Sequence, residues 1–174
     1  EHVTTEFDPI DYNLNQGFTV SFWVRPDEFG THRFAIGRRR DVSNGRFTFG
    51  LRSNSNLFIG VGNTKKTGFA HGFEVGTWYH LTITYAGNNA SPKTLKAYRN
   101  GTEVLDTTAT WSSTGGDAPI YFGARNADGP SQEWACGLDE VAIFDEEKSS
   151  DWITRAYNSG NPTDLQNDSA LVGY

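Results

Sequence analysis

Apolar and polar residues alternate with a period of two over several short stretches of this chain, the pattern of strands that turn one face to a core. In the segment 18–25, Phe18, Val20, Phe22 and Val24 fall on one side and Thr19, Ser21, Trp23 and Arg25 on the other. This predicts a half-buried strand ended by Pro26-Asp27. The same alternation places Phe47, Phe49 and Leu51 together within 46–52, and it returns over 57–61. Ser53 to Asn56 between them is turn chemistry. Over 78–85, Tyr79, Leu81, Ile83 and Tyr85 oppose the mostly polar set Trp78, His80, Thr82 and Thr84, predicting a central strand.

Residues 95–105 read as two strands around Asn100-Gly101, because both central residues of a type I′ turn need positive φ. Residues 120–123 and 137–144 add two strands, separated by the loop from Ala124 to Ala135. Only Ser149 to Asn158 reads as a helix, with a Ser or Asp cap, Trp152, Ile153, Ala156 and Tyr157 on one face, and a stop at Asn158 to Gly160. About ten strands at turn spacing, without alternating helices, predict an all-β, two-sheet antiparallel sandwich with one short helix near the C-terminus.

Composition agrees with many strands and tight turns: 19 Gly and 14% aromatic residues in 174. That length suits one domain over 1–174. The net charge of −6 supplies no basic field for nucleic acid or anionic lipid, and neither partner is expected. No apolar run approaches the roughly 20 residues of a membrane span, so no membrane insertion is expected. The chain holds no Met and ends on the strand-like Leu171 to Tyr174, and is expected to be a piece cut from a longer protein. Cys136 has no intrachain partner and reads as a small hydrophobe in a strand.

Several stretches together resemble the concanavalin A-like lectin/glucanase superfamily, in its laminin G-like and pentraxin-like branch. They are 17–26, 76–85, Tyr98-Arg99-Asn100-Gly101, Tyr121-Phe122-Gly123 and 137–144, followed by the acid-and-Ser run from Asp145 to Asp151. The resemblance implies a jelly roll whose ligands bind on the concave sheet or at loops along one rim. It also implies a non-catalytic recognition or adhesion module, binding a glycan or a surface protein, in an extracellular, cell-surface or virion-surface protein. A structural or decoration module and a glycoside hydrolase are the alternatives, and a homo-oligomer or larger assembly through flanking regions fits the first of these.

Glycoside hydrolysis needs two carboxylates facing one bond. The Glu-x-Asp-x-Glu pattern of the glucanases is absent, and Asp139 and Glu140, being adjacent, are expected on opposite strand faces, so no enzyme activity is expected. Calcium is the cofactor the resemblance implies. Asp139, with Asp128 and Asn126, would supply hard oxygen ligands, unless Asp139 merely closes the adjoining loop. The loop from Arg125 to Glu133 occupies the place of the pentraxin calcium-dependent ligand loop; Arg125, Asn126 and Asp128 with Trp134 form the expected ligand site, the rival being a solvated loop. Trp134 is the expected stacking platform for a sugar ring. Trp23 and Trp78 are either further platforms or packing aromatics, and Trp111 falls near a loop. Arg38, Arg39 and Arg40 would meet acidic glycans or guard an edge strand. Nothing follows from the two sequons, at Asn100 and Asn167.

Overall fold

A computed structural model describes residues 3–4, 17–29, 33–38, 47–51, 56–61, 64–70, 72–109, 120–124 and 133–174. In chain order its strands are β1 (Val3–Thr4), β2 (Phe18–Pro26), β3 (Arg33–Arg38), β4 (Phe47–Leu51), β5 (Asn56–Val61), β6 (Thr64–Ala70), β7 (Tyr79–Tyr85), β8 (Thr94–Arg99), β9 (Thr102–Thr108), β10 (Tyr121–Phe122), β11 (Cys136–Phe144) and β12 (Leu171–Gly173), with the helix α1 (Ser150–Tyr157) before β12. They form two antiparallel six-stranded sheets, in the orders β1-β10-β3-β4-β5-β6 and β12-β11-β2-β7-β8-β9. This is the expected all-β jelly-roll sandwich with one short C-terminal helix.

The alternation works as expected on the inner faces. Phe18 meets Phe47 edge-on at 5.5 Å and Phe22 meets Phe49 at 5.3 Å, so β2 of one sheet is keyed into β4 of the other. Val20, Val24, Ile83, Ile59 and Ile36 fill the same core. Each fully buried side chain of this kind is worth about 1.5–3 kcal/mol, and an aromatic pair adds about 1 kcal/mol. The β8–β9 hairpin turns on Asn100 and Gly101 at φ 51° and 74°, the two positive values a type I′ turn requires. The Asn100 side chain also accepts a hydrogen bond from the His80 backbone N–H at 2.9 Å, tying the hairpin to β7.

The outer face of the β2/β7 sheet departs from the expectation of a half-buried strand. Thr19, Ser21, His80, Thr82 and Thr84 are all buried. The segment after β11 lies over them. Thr19 Oγ1 donates to the Glu146 carbonyl and accepts from the Lys148 N–H. Tyr157 of α1 stacks near His80 and Trp23, 6.1 Å from each ring, and Trp152 meets Phe144 edge-on. Helix α1 starts at the Ser149 cap, whose side chain accepts from the Trp152 N–H, and stops at Asn158 in the left-handed region. The buried polar groups beneath it are partly paired with one another: Ser21 Oγ lies 2.9 Å from His80 Nε2 and 3.4 Å from Thr82 Oγ1. Among the described residues no helix is long and apolar enough to cross a membrane.

Candidate functional site

Two concavities lie along the β2/β11 pairing. One lies on the outer face of the sheet, beside the C-terminal segment; the other lies at the rim, where β2 ends and β11 begins.

The outer cleft is assembled from four places in the chain. Gly76, at φ 80°, closes a turn in which its N–H donates to the Pro26 carbonyl at 2.8 Å, and this sets Trp78 just ahead of β7. The indole is the one large exposed aromatic in this cleft among the described residues, at 39% exposure. It lies over Gly137 of β11. A Cβ there would come within 2.9 Å of Trp78 Cη2, so only a glycine lets the ring lie this close to the sheet. The Arg25 guanidinium sits 5.4 Å from the ring centroid and is itself paired with Asp27 at 3.1 Å.

Asp139 is directly opposite Trp23 in the β11–β2 register, so both project to this outer face. Trp23 is buried beside His80, its partner across β2 and β7, and near Tyr157 of α1, and forms the floor. Asp139 is exposed, and its Oδ1 accepts the Glu140 N–H at 2.9 Å. Beyond it the ladder slips by one residue between Asp139 and Ala142, and Glu140 takes φ 49°. Strict alternation stops at this bulge, and of the two adjacent acids only Asp139 lines the cleft. Burial, then the charges of Asp139 and Asp164, hold the Glu140 carboxyl above the usual carboxylate range. Gly160 and Pro162, just past α1, complete the wall of a cleft of about 190 Å³. It offers an aromatic surface and one exposed acceptor, the combination that holds a ring with an apolar face and donating hydroxyls.

The rim groove, about 360 Å³, is lined by Asp27, Glu28, Arg33, Glu133, Trp134, Ala135 and Cys136. Here the expected platform is corrected. Trp134 is buried at 3% exposure, within the core cluster, and its indole N–H donates to the Glu28 carbonyl at 2.9 Å. Its ring is consumed by packing and leaves no open face for stacking. Arg33 is engaged by Glu28 at 3.3 Å and by the Glu133 carbonyl at 2.9 Å. Burial, with the Asp27 charge behind it, pushes the Cys136 thiol up to about 12, so it is an inert, partly buried side chain rather than a nucleophile.

The remaining expected site residues, Arg125, Asn126 and Asp128, lie outside the described residues, as do Trp111, Arg39 and Arg40. Of the expected calcium ligands only Asp139 is therefore placed. Among the described residues no group of three or more acidic, His or Cys side chains is arranged to hold a metal. The position of Trp78 opposite the apolar set of its strand was legible, but its exposure was not, since Trp23, placed in the same way on its own strand, is buried. Gly137 and Pro162 as its partners carry no signal in the sequence, since neither residue type marks a site.

Among curated protein sequences none matches this chain. Solved structures do. A putative carbohydrate-binding protein from Bacteroides ovatus superposes with a TM-score of 0.70 at 14% identity, over 98% of this chain and 47% of its own length, so this chain spans under half of that protein. A heptameric pentraxin from Limulus polyphemus gives 0.62 at 16% identity, over 82% of this chain and 70% of the pentraxin. Domain 4 of an extracellular arabinanase from Geobacillus stearothermophilus, solved with arabinotriose, gives 0.59 at 24% identity, over 80% of this chain and 66% of that one. At these identities the likeness is one of fold. A family model described as the concanavalin A-like lectin/glucanases superfamily matches residues 2–154, nearly the whole sandwich, and the chain belongs to that superfamily.

Proposed function

We propose that this chain is a non-catalytic carbohydrate-recognition module of an extracellular, cell-surface or virion-surface protein. The observation that carries it is the Trp78 ring, exposed and seated on Gly137, sharing a cleft with the Asp139 carboxylate. A sugar presents an apolar ring face and a rim of hydroxyl donors, and those two features match an indole and a carboxylate side by side. The carbohydrate-binding protein from Bacteroides ovatus and the arabinanase domain solved with arabinotriose support the reading at the level of a shared fold. Asp139 is the single carboxylate among the described residues that line the cleft, whereas cleavage with retention takes two carboxylates about 5 Å apart.

A glycan array with the isolated chain, run once with calcium and once with a chelator, tests this reading. Binding to a defined set of glycans is expected, with no reducing sugar released on incubation. Loss of the signal in chelator would bring calcium, and with it the loop carrying Asn126 and Asp128, into the site. Silence across the array, with stable multimers in solution, would favour an assembly module instead. Release of reducing sugar that Asp139→Asn abolishes would favour a hydrolase.

A further inference from the structure

Resting on that reading, we infer that the Trp78–Asp139 cleft takes one uncharged sugar ring, from a chain end or a branch, and rejects sugars that carry a carboxylate or sulfate. Size sets the first half. The cleft, about 190 Å³, falls below the roughly 300–1,000 Å³ of pockets that enclose larger ligands. Gly160 and Pro162 close it on the helix side. Gly160, at φ 98°, makes the turn that brings Pro162 round after α1, so this wall is set by backbone rather than by a long side chain that moves aside.

Charge sets the second half. Asp139 faces into the cleft, and Glu140 and Asp164 lie close enough that their charges act on one another. The cation beside the indole, Arg25, has its Nε paired with Asp27, which offsets its charge, and its guanidinium lies 5.4 Å from the ring centroid. An acidic sugar would thus meet the Asp139 charge while, among the described residues, the cation at the indole is already offset by Asp27, a repulsion that costs affinity and fixes specificity. A neutral ring loses nothing of the kind: its hydroxyls donate to Asp139, a charge-assisted contact stronger than one between neutral groups. The selectivity is for the absence of charge more than for one stereochemistry, because a stacking surface and one acceptor tolerate several hydroxyl patterns.

The test uses the chain as it stands and methyl glycosides of glucose, galactose and arabinofuranose, with methyl glucuronide and N-acetylneuraminic acid as acidic counterparts. Ligand-observed saturation-transfer NMR and tryptophan fluorescence report binding. At least one neutral glycoside is expected to bind, with little dependence on salt, and glucuronide about tenfold more weakly than glucoside. Trp78→Ala is expected to abolish binding of the neutral glycoside. Asp139→Asn is expected to weaken it about fivefold and to narrow the gap between glucoside and glucuronide, which a merely structural role for Asp139 would leave unchanged. Equal or tighter binding of the acidic sugars overturns the inference. So does neutral-sugar binding that survives both substitutions, in which case recognition lies elsewhere on a module that still reads glycans. A chain silent toward these glycosides and across the glycan array overturns the carbohydrate reading itself.

Discussion

The outer cleft and the rim groove both set tryptophan beside carboxylate, yet they are built for different ends. At the rim Trp134 is sunk into the core with its N–H satisfied, and Arg33 is spent on Glu28 and the Glu133 carbonyl. In the outer cleft Trp78 lies on a glycine with its ring open, and Asp139 keeps one oxygen free of the Glu140 N–H. The type of residue is the same; what differs is what the backbone beneath it allows. A ring beside a side chain must stand off or bury itself, whereas a ring beside glycine can approach the sheet and stay exposed.

The largest effect that separates the two regions is on stability. Trp134→Ala is expected to cost about 3–5 kcal/mol in urea unfolding, because it empties a buried site, whereas Trp78→Ala is expected to cost under about 1 kcal/mol while removing glycan binding. Equal losses of stability would erase the distinction between a packing ring and a platform.

Next in size is a dependence on pH beneath the wall of the outer cleft. Burial lowers the His80 imidazole from 6.5 to about 4, under the Tyr157 ring and against Ser21. On acidification the unfolded chain takes up this proton first. Stability is therefore whole above pH 6.5, falls between pH 6.5 and about 4, and levels off below, a loss of about 3 kcal/mol. The difference between wild type and His80→Asn across that range isolates this group from the carboxylates; parallel acid limbs for the two proteins would remove it from the account.

A smaller effect sharpens the platform itself. Gly137→Ala places a methyl group 2.9 Å from Trp78 Cη2, so the ring must lift. Glycan affinity is expected to fall by about three- to tenfold, roughly 1 kcal/mol, with the far-ultraviolet circular dichroism unchanged. The smallest concerns Arg25→Ala, which removes an exposed ion pair and one contact on the indole. It is expected to change stability by less than about 1 kcal/mol, measured by thermal melting at low and high salt.

Much of the sandwich was legible locally. Alternation placed β2, β4, β5 and β7, Asn100-Gly101 placed the β8–β9 hairpin, and Ser149 and Asn158 bounded α1. Strand β3 escaped because its register shifts between Phe34 and Ile36, which breaks the period that reading depends on. Strand β6 escaped because Thr64-Lys65-Lys66-Thr67 carries no apolar side, as befits the edge of its sheet. Segment 18–25 reads as a half-buried strand, and hydrophilic residue types alone give no hint of which later segment lies over its polar face.

The sequence by itself determined which short segments are strands, where the tightest turn falls and where the helix begins and ends, because each depends on φ and ψ preferences and on neighbours a few residues apart. It also determined that Trp78 faces away from the core. Only the tertiary structure decided that Trp78 meets Gly137 and shares a cleft with Asp139, some sixty positions away, and that Trp134 is walled in. Those outcomes follow from strand register, from one bulged residue at Glu140 and from the path of the chain after α1, and a shift of one position in any of them exchanges the face to which every later side chain points.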